Sequence, residues 1–366
     1  MHTVLVLGGY GFFGSRICSG LVGDPSIRLL IGGRSRERAL QTTARLGLGA
    51  DQAIAIDAND NDLAGLLEEN GAQILVHTAG PFQHQDYRVA RAAIEAGCHY
   101  IDLADGRQFV AGIDALDDAA RKRAVSVISG ASSVPALSSA VVDRYRPRFA
   151  RLDSVEVAIS SGARAPGIAT VQGIFGYAGR PFHYLSRGES APAHGWLGLR
   201  RHRFPSPLGA RWLCRCDIPD LILFPRRYPE VSTVSFEAGF ASDLGHLVVW
   251  TLANLVRTRV LPSATPFAAP LNRLSRWIEP VVSDKGGMFV RLTGSGHDDK
   301  PLRITWNLIV QNNDGPYVPC GAALALTRKL CGSARCPSGA MPCMGLLSVE
   351  EYLAALPALN LRESVE

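Results

Sequence analysis

A glycine-rich segment near the start of the chain has the residue types and spacing of a dinucleotide-binding loop. It reads Gly-Gly-Tyr-Gly-Phe-Phe-Gly over residues 8–14 and satisfies the pattern G-x-G-x-x-G. In such a loop the glycines allow a tight turn, a close approach to pyrophosphate and close packing of the following helix, whose N-terminus faces the phosphates. The alternative is a glycine-rich turn that binds nothing. The predicted cofactor-binding residues of this loop are Gly9, Tyr10, Gly11, Phe12, Phe13 and Gly14.

The next candidate site decides between NAD and NADP. About 20 residues after the glycine loop, NAD-binding sheets usually carry an acidic residue that binds the ribose 2′-hydroxyl. This chain has Arg34 there, followed by Ser35. A guanidinium pairs with a 2′-phosphate, and a serine hydroxyl adds a donor. The sequence therefore favours NADP over NAD; in the alternative, Arg34 and Arg36 are only the solvated start of a helix.

Two further loops follow predicted strands at the edge where such sheets bind ligands. Asp57 follows the third strand and is predicted to accept a hydrogen bond from the adenine amino group. Alternatively, it caps the helix that starts near Asp60. Ala79, Gly80 and Pro81 follow the fourth strand, and their sharp turn is predicted to lie beneath the nicotinamide ribose.

Hydride transfer often needs one acid or base to handle a proton. No tyrosine is followed by a lysine four residues later, which excludes the usual short-chain dehydrogenase mechanism. The catalytic residue stays unassigned, because each candidate also has a structural explanation. His84 fits a surface loop, and Asp102 and Ser133 lie near helix starts, where caps are common. The candidates are His84, Tyr100, Asp102 and Ser133.

The first 145 residues alternate apolar strands with helices. Val4–Leu7 is an uninterrupted apolar run, as expected of a parallel strand buried on both faces. Six such strands with helical crossovers predict an α/β fold with a doubly wound Rossmann sheet. Farther along, Met288–Gly294 and Leu302–Val310 alternate with period two and predict a hairpin in a mixed sheet.

Several of these motifs, together with others, resemble the saccharopine dehydrogenase (reductase)-like oxidoreductases. Besides the glycine loop, they are Ala79–Phe82, His99–Leu103, Ser129–Pro135 and Gly339–Leu347. The resemblance implies NADP-dependent redox chemistry on an amine, imine or enoyl substrate, and a homodimer. It also implies a Rossmann domain over residues 1–150 and an inserted mixed α/β substrate and dimerisation domain over 151–315. Helices in 316–366 would return to the Rossmann domain, with a small-molecule substrate in the cleft between the domains.

Composition and charge narrow the remaining functional classes. The net charge is +5, but only four of the 38 basic residues are lysines and the arginines are scattered, which argues against a nucleic-acid partner. The cysteine spacing lacks paired metal-binding motifs, so no metal is predicted. The start of the chain lacks the pattern of a signal peptide, which predicts a cytoplasmic protein with reduced thiols. Two alternatives stay open: a non-catalytic NADP-binding sensor or scaffold, and a peripheral protein with weak membrane association through residues 244–256.

Overall fold

The computed structural model describes residues 1–83, 85–162, 167–279, 282–332 and 336–366. Its strands are β1 (His2–Leu7), β2 (Ile27–Gly33), β3 (Ala53–Ala55), β4 (Ile74–His77), β5 (His99–Asp102), β6 (Ser126–Ser129), β7 (Phe149–Ser160), β8 (Pro181–Ser186), β9 (Glu189–His194), β10 (Leu197–Arg203), β11 (Ala210–Arg215), β12 (Thr233–Gly239), β13 (Gly286–Gly296), β14 (Pro301–Val310), β15 (Gly339–Pro342) and β16 (Leu361–Val365). Its α-helices are α1 (Gly14–Leu21), α2 (Arg36–Arg45), α3 (Leu63–Glu69), α4 (Arg88–Glu95), α5 (Arg107–Ala111), α6 (Asp117–Lys122), α7 (Ser138–Tyr145), α8 (Ile168–Tyr177), α9 (Asp220–Arg227), α10 (Asp243–Arg257), α11 (Ala268–Ile278), α12 (Gly321–Cys331) and α13 (Val349–Ala354).

The chain divides into two compact units. The first contains Met1–Leu137 and Tyr317–Pro357, and the second contains Ser138–Pro316 and Ala358–Glu366. These bounds differ from the predicted ones at two places. The second unit begins before residue 151 because α7 packs on β7 and β13 of its sheet. The last residues do not stay with the first unit, because β16 pairs with β14.

The first unit is built on a parallel sheet with the order β15-β6-β5-β4-β1-β2-β3. Apart from β15, this is the strand order of a Rossmann fold, with the switch point between β1 and β4. Val4, Leu5 and Val6 are fully buried, as the apolar run of β1 predicted. The predicted α/β fold class, with a doubly wound sheet and a second mixed sheet, is confirmed.

The second unit is built on a mixed sheet with the order β10-β11-β12-β7-β13-β14-β16. Only the β12–β7 pair is parallel among the strand pairs described for this sheet. The predicted hairpin is formed by β13 and β14, which pair antiparallel from Gly286↔Val310 to Ser295↔Pro301. From Ile304 to Val310 every residue of β14 is buried, so this strand is covered on both faces.

The apolar stretch 244–256 forms most of α10. One face of this helix is buried through His246, Val249, Leu252 and Ala253, whereas Leu244 near its start is 70% exposed. None of the helices that the structure describes combines the length and the apolar character needed to cross a membrane.

Candidate functional site

The glycine loop joins β1 to α1, and its backbone at Gly8 packs closely against Gly11 and Gly14. Gly8 has φ +85°, a conformation that side chains disfavour, and the Gly11 N–H donates to the Gly8 carbonyl at 2.7 Å. A Cβ atom on Gly14 would lie 2.2 Å from the Gly8 oxygen and 2.7 Å from Oγ1 of Thr78. The first turn of α1 has no side-chain cap and no acidic residue. The Ser15 and Arg16 N–H groups donate to the Gly11 and Phe13 carbonyls, but those of Phe12, Phe13 and Gly14 have no acceptor among the described residues. These three suit an anion, and the cradle fits a dinucleotide diphosphate.

Tyr10, from the same loop, lies across the end of β2. Its hydroxyl accepts a hydrogen bond from the Ser35 N–H at 3.0 Å. A Cβ atom on Gly33 would lie 2.5 Å from the Tyr10 ring, so glycine is needed there for the ring to pack. The Arg38 guanidinium lies 4.5 Å from the centroid of that ring. Tyr10 thus connects the glycine loop to the start of α2.

The start of α2 is cationic and exposed. Ser35 caps the helix, because its Oγ accepts a hydrogen bond from the Arg38 N–H at 3.2 Å. Arg34 and Arg36 are exposed, and within the described parts of the chain neither forms an ion pair. Both the predicted 2′-phosphate site and its alternative, a solvated helix start, are compatible with this placement.

Arg38 was not among the residues predicted from the sequence. It lines a polar cleft of about 220 Å³ between α1 and α2, together with Tyr10, Ser15, Gln41, Thr42 and Arg45. The sequence did contain a signal for it, since Arg38 lies in the first turn of the helix predicted from Arg36, close along the chain to Arg34. The cationic end of β2 therefore extends along α2 as far as Arg45.

Asp57 does not cap the following helix. Its Oδ1 accepts a hydrogen bond from the Asn59 N–H at 3.0 Å, which makes a local turn. The cap of α3 is instead Asp62, whose Oδ1 accepts from the Gly65 N–H at 3.2 Å. The alternative explanation of Asp57 was wrong, because α3 begins three residues later than Asp60. A role for Asp57 toward adenine stays a prediction.

The loop after β4 is attached to the glycine loop across the switch point. Thr78 donates from both its N–H and its hydroxyl to the Leu7 carbonyl, each at 2.9 Å. The Gln85 amide donates to the carbonyl oxygens of Ala79 at 2.9 Å and Pro81 at 3.0 Å, which closes the turn. The Gly80–Pro81 peptide bond is cis. His84 lies outside the described residues.

Tyr100 and Asp102 belong to a buried polar network with His77, which the sequence reasoning missed. All three are 0% exposed. The Tyr100 hydroxyl lies 3.0 Å from Nδ1 of His77, and the His77 ring packs edge-on against Phe82. Burial lowers the pKa of His77 to about 4, so the ring is neutral at pH 7. None of these three side chains is exposed to solvent.

Asp102 organises the loops around it. Its Oδ1 accepts hydrogen bonds from the Ala104 N–H at 2.9 Å, the Gly130 N–H at 2.8 Å and the Ser129 hydroxyl at 3.0 Å. Burial raises the pKa of this carboxyl group to about 6, and the hydrogen bonds oppose that rise. Asp102 thus joins the ends of β5 and β6, and it does not cap α5, which has no side-chain cap.

Ser133 does not lie at a helix start. Residues Ser133–Leu137 form a short turn in which Val134 is extended (φ −129°, ψ 127°), and α7 begins only at Ser138. The extended residue interrupts the helical backbone, so Ser133 is not the N-cap of α7. Ser133 is 5% exposed and hydrogen-bonds with the Tyr352 hydroxyl.

All eight cysteines are free thiols, and six of them are buried. Burial raises the pKa of all eight thiols, so exposure separates them, and only Cys331 and Cys336 are partly exposed. We therefore expect a thiol reagent to modify Cys331 and Cys336 first in native protein, and all eight in denaturant. Counting modified thiols by mass spectrometry measures this, and fewer than eight in denaturant without reductant would reveal a disulfide.

The residues that the structure describes contain no group of three or more His, Cys, Asp and Glu side chains able to hold a metal ion. The predicted absence of a metal is tested separately by elemental analysis of the purified protein. Stoichiometric zinc or iron would contradict it.

Comparisons with known proteins agree with this geometry. Residues 4–129 match the family model of the saccharopine dehydrogenase NADP-binding domain. The fold is similar to that of apo saccharopine dehydrogenase (L-Glu forming) from Saccharomyces cerevisiae, with 13% identity, a TM-score of 0.70 and 100% of both chains covered. It is also similar to homospermidine synthase from Legionella pneumophila in complex with NAD, with 10% identity, a TM-score of 0.62 and coverage of 99% of this chain and 91% of that one. The amine dehydrogenase from Mycobacterium smegmatis gives 14% identity, a TM-score of 0.51 and coverage of 99% and 97%. A search of curated proteins finds no match.

The first unit is therefore a dinucleotide-binding domain of the Rossmann class, with its glycine loop at the switch point of the sheet. Its residues 4–129 match the model of the saccharopine dehydrogenase NADP-binding domain family, which covers about a third of the chain. The resemblance found in the sequence motifs is confirmed.

Proposed function

We propose that the protein is an NADP-dependent oxidoreductase that acts on an amine, imine or enoyl-type small molecule. The observation that carries this proposal is the combination of a diphosphate cradle with a cationic end of β2. Arg34, Arg36 and Arg38 follow that strand, where an NAD-binding sheet has an acidic residue. One of the fold neighbours is named an amine dehydrogenase, which is a reason to test amines and imines first.

The roles of the chain's own residues follow from their places in the first unit. The glycine loop binds the diphosphate through backbone N–H groups, and Arg34 with Arg38 binds the 2′-phosphate. The turn of Ala79, Gly80 and Pro81 supports the nicotinamide ribose. Asp102 is a positioning residue, because it is buried and acts through the loops that it joins. When bound, the nicotinamide supplies or accepts the hydride.

The first test concerns the preference for NADPH. An Arg34→Asp variant should bind NADPH roughly tenfold to a hundredfold more weakly, because it loses a charge-assisted pair worth about 1.5–3 kcal/mol. Its NADH affinity should change little, since that ribose carries a hydroxyl. Fluorescence titration of both nucleotides measures the ratio. The matched control is Arg303→Asp, at an exposed arginine of the second unit. Equal affinity of the wild type for NADH and NADPH would contradict the assignment of Arg34 to the 2′-phosphate.

A second candidate function is a non-catalytic NADP-binding sensor or scaffold. It is favoured by the complete burial of His77, Tyr100 and Asp102, which removes three acid–base groups from direct contact with a substrate. Turnover distinguishes the two functions. Oxidation of NADPH in the presence of a panel of imines and enoyl compounds supports the enzyme, whereas tight NADPH binding without turnover supports the sensor.

The proposal includes a homodimer in the cytoplasm. Light scattering coupled to size-exclusion chromatography gives the mass of the assembly, and a mass near 39.2 kDa would show a monomer instead. Fractionation of cells followed by immunodetection tests the location.

A further inference from the structure

Helix α11 in the second unit presents an apolar stripe to solvent. Leu274 is 58% exposed and Trp277 is 84% exposed, and Phe267, directly before the helix, is 38% exposed. Their spacing of seven and three residues places them on one side of the helix. The opposite side is packed, since Ala268 and Asn272 are buried. The stripe is therefore a continuous surface feature rather than a set of scattered exposed residues.

Positive charge flanks this stripe. Arg273 and Arg276 are both exposed; Arg273 lies beside Trp277, four residues before it on α11, and Arg276 lies farther around the helix. The stretch from Arg257 to Glu279 contains four arginines and one carboxylate. A helix with exposed tryptophan and leucine on one side and arginine next to them is typical of helices that lie in the interface of a membrane.

We propose that α11 docks on an anionic phospholipid surface. Trp277, Leu274 and Phe267 enter the boundary between headgroups and acyl chains, where tryptophan is favoured. Arg273 and Arg276 then face the phosphates of the headgroups. A second copy of the chain fits this surface less well. In a symmetric pair built on the stripe, each copy would bring Arg273 and Arg276 to the contact region with Glu279 as the one nearby carboxylate of the stretch, so like charges would outnumber pairs.

The lipid contact proposed here differs in place from the one considered for residues 244–256. Helix α10 buries Val249, Leu252 and Ala253, and its exposed apolar side chains are Leu244 at 70% and Leu247 at 38%. Asp243 directly precedes them and is exposed as well, and an anionic surface repels its carboxylate. On the α11 side, Glu279 is the one carboxylate between residues 257 and 279, against four arginines, so that stretch keeps a positive charge.

Sedimentation of full-length protein with vesicles tests the proposal. One set of vesicles is phosphatidylcholine alone, and in the other about a third of the lipid is phosphatidylglycerol. We expect binding to the anionic set to be at least about tenfold tighter and to weaken as salt is added. Tryptophan emission should shift to shorter wavelength on binding, because Trp277 leaves water.

Variants assign the effect to α11. Trp277→Ala should reduce binding at least about tenfold and abolish the emission shift, and its 84% exposure makes a folding defect unexpected. Arg273→Glu with Arg276→Glu should abolish the preference for anionic vesicles. The control is Arg148→Glu with Arg303→Glu, which makes the same change in charge at two exposed positions elsewhere in the second unit.

Three results would overturn the proposal. The first is no binding to either set of vesicles, and the second is equal loss of binding in the α11 and control arginine variants. The third is a wild-type protein that is a dimer and does not bind vesicles, and whose dimer dissociates in the Trp277→Ala variant. That result would assign the stripe to contact with a second copy of the chain. None of these measurements requires NADP, so they are independent of the proposed enzymatic function.

Discussion

We expect the Gly14→Ala variant to bind NADPH at least about a hundredfold more weakly than the wild type. The added methyl group would lie 2.2 Å from the Gly8 carbonyl oxygen, which is backbone and cannot rotate away. Either the loop or the start of α1 must move, and the N–H groups that face the diphosphate move with it. A loss of a hundredfold corresponds to about 3 kcal/mol of binding free energy.

Two variants show whether this loss comes from the backbone contact. Gly176→Ala adds the same methyl group inside α8, where nothing lies within 4 Å, and should leave NADPH affinity unchanged. Adding Thr78→Ala to Gly14→Ala removes the hydroxyl at 2.7 Å but leaves the Gly8 oxygen, so affinity should not recover. Thermal unfolding with and without NADPH provides a second readout. Normal NADPH affinity in Gly14→Ala would mean that the nucleotide does not bind at this loop.

The fold of the first unit could be predicted because its strands are buried on both faces. Such strands read as apolar runs, as Val4–Leu7 does, and the glycine loop marks the first turn. Strand β15 was not predicted, because its four residues include Gly339 and Pro342, which are unfavourable for strands. It pairs with β6, which lies more than 200 residues earlier in the chain. No local sequence pattern indicates such a long-range pairing.

Some residues of the candidate site could also be predicted from the sequence, and others could not. The glycine loop and Arg34 have local spacing that sequence reasoning can detect. His77 could not be connected to Asp102, because their neighbourhood depends on the register of β4 and β5, which pairs these two residues directly. The alternation of apolar and polar residues along a strand also does not show whether a polar residue at the strand's end is buried or exposed. The burial of Asp102 is a consequence of the loops that fold over it.

Asp102→Ala should lower the free energy of unfolding by about 3–5 kcal/mol. The substitution leaves the Ala104 and Gly130 N–H groups and the Ser129 hydroxyl without their acceptor in the core, and each unpaired donor costs about 1–3 kcal/mol. Ser129→Ala is the matched control, since it removes one of the three donors and should cost about 1 kcal/mol. Urea unfolding monitored by circular dichroism measures both. A loss below about 1 kcal/mol in Asp102→Ala would contradict the role assigned to this carboxylate.

Asp102→Asn separates the charge of this group from its hydrogen bonds, because the amide oxygen can keep the role of Oδ1. Burial raises the folded-state pKa of Asp102 to about 6 from an unfolded value of 3.8. The folded protein therefore binds more protons than the unfolded chain between these values, and this group's contribution to stability falls as the pH rises from about 4 to about 6. The Asn variant lacks that dependence. Its free energy of unfolding relative to the wild type should rise by about 3 kcal/mol over this range, in urea unfolding repeated at several pH values. A constant difference would show that Asp102 keeps an ordinary pKa in the folded protein.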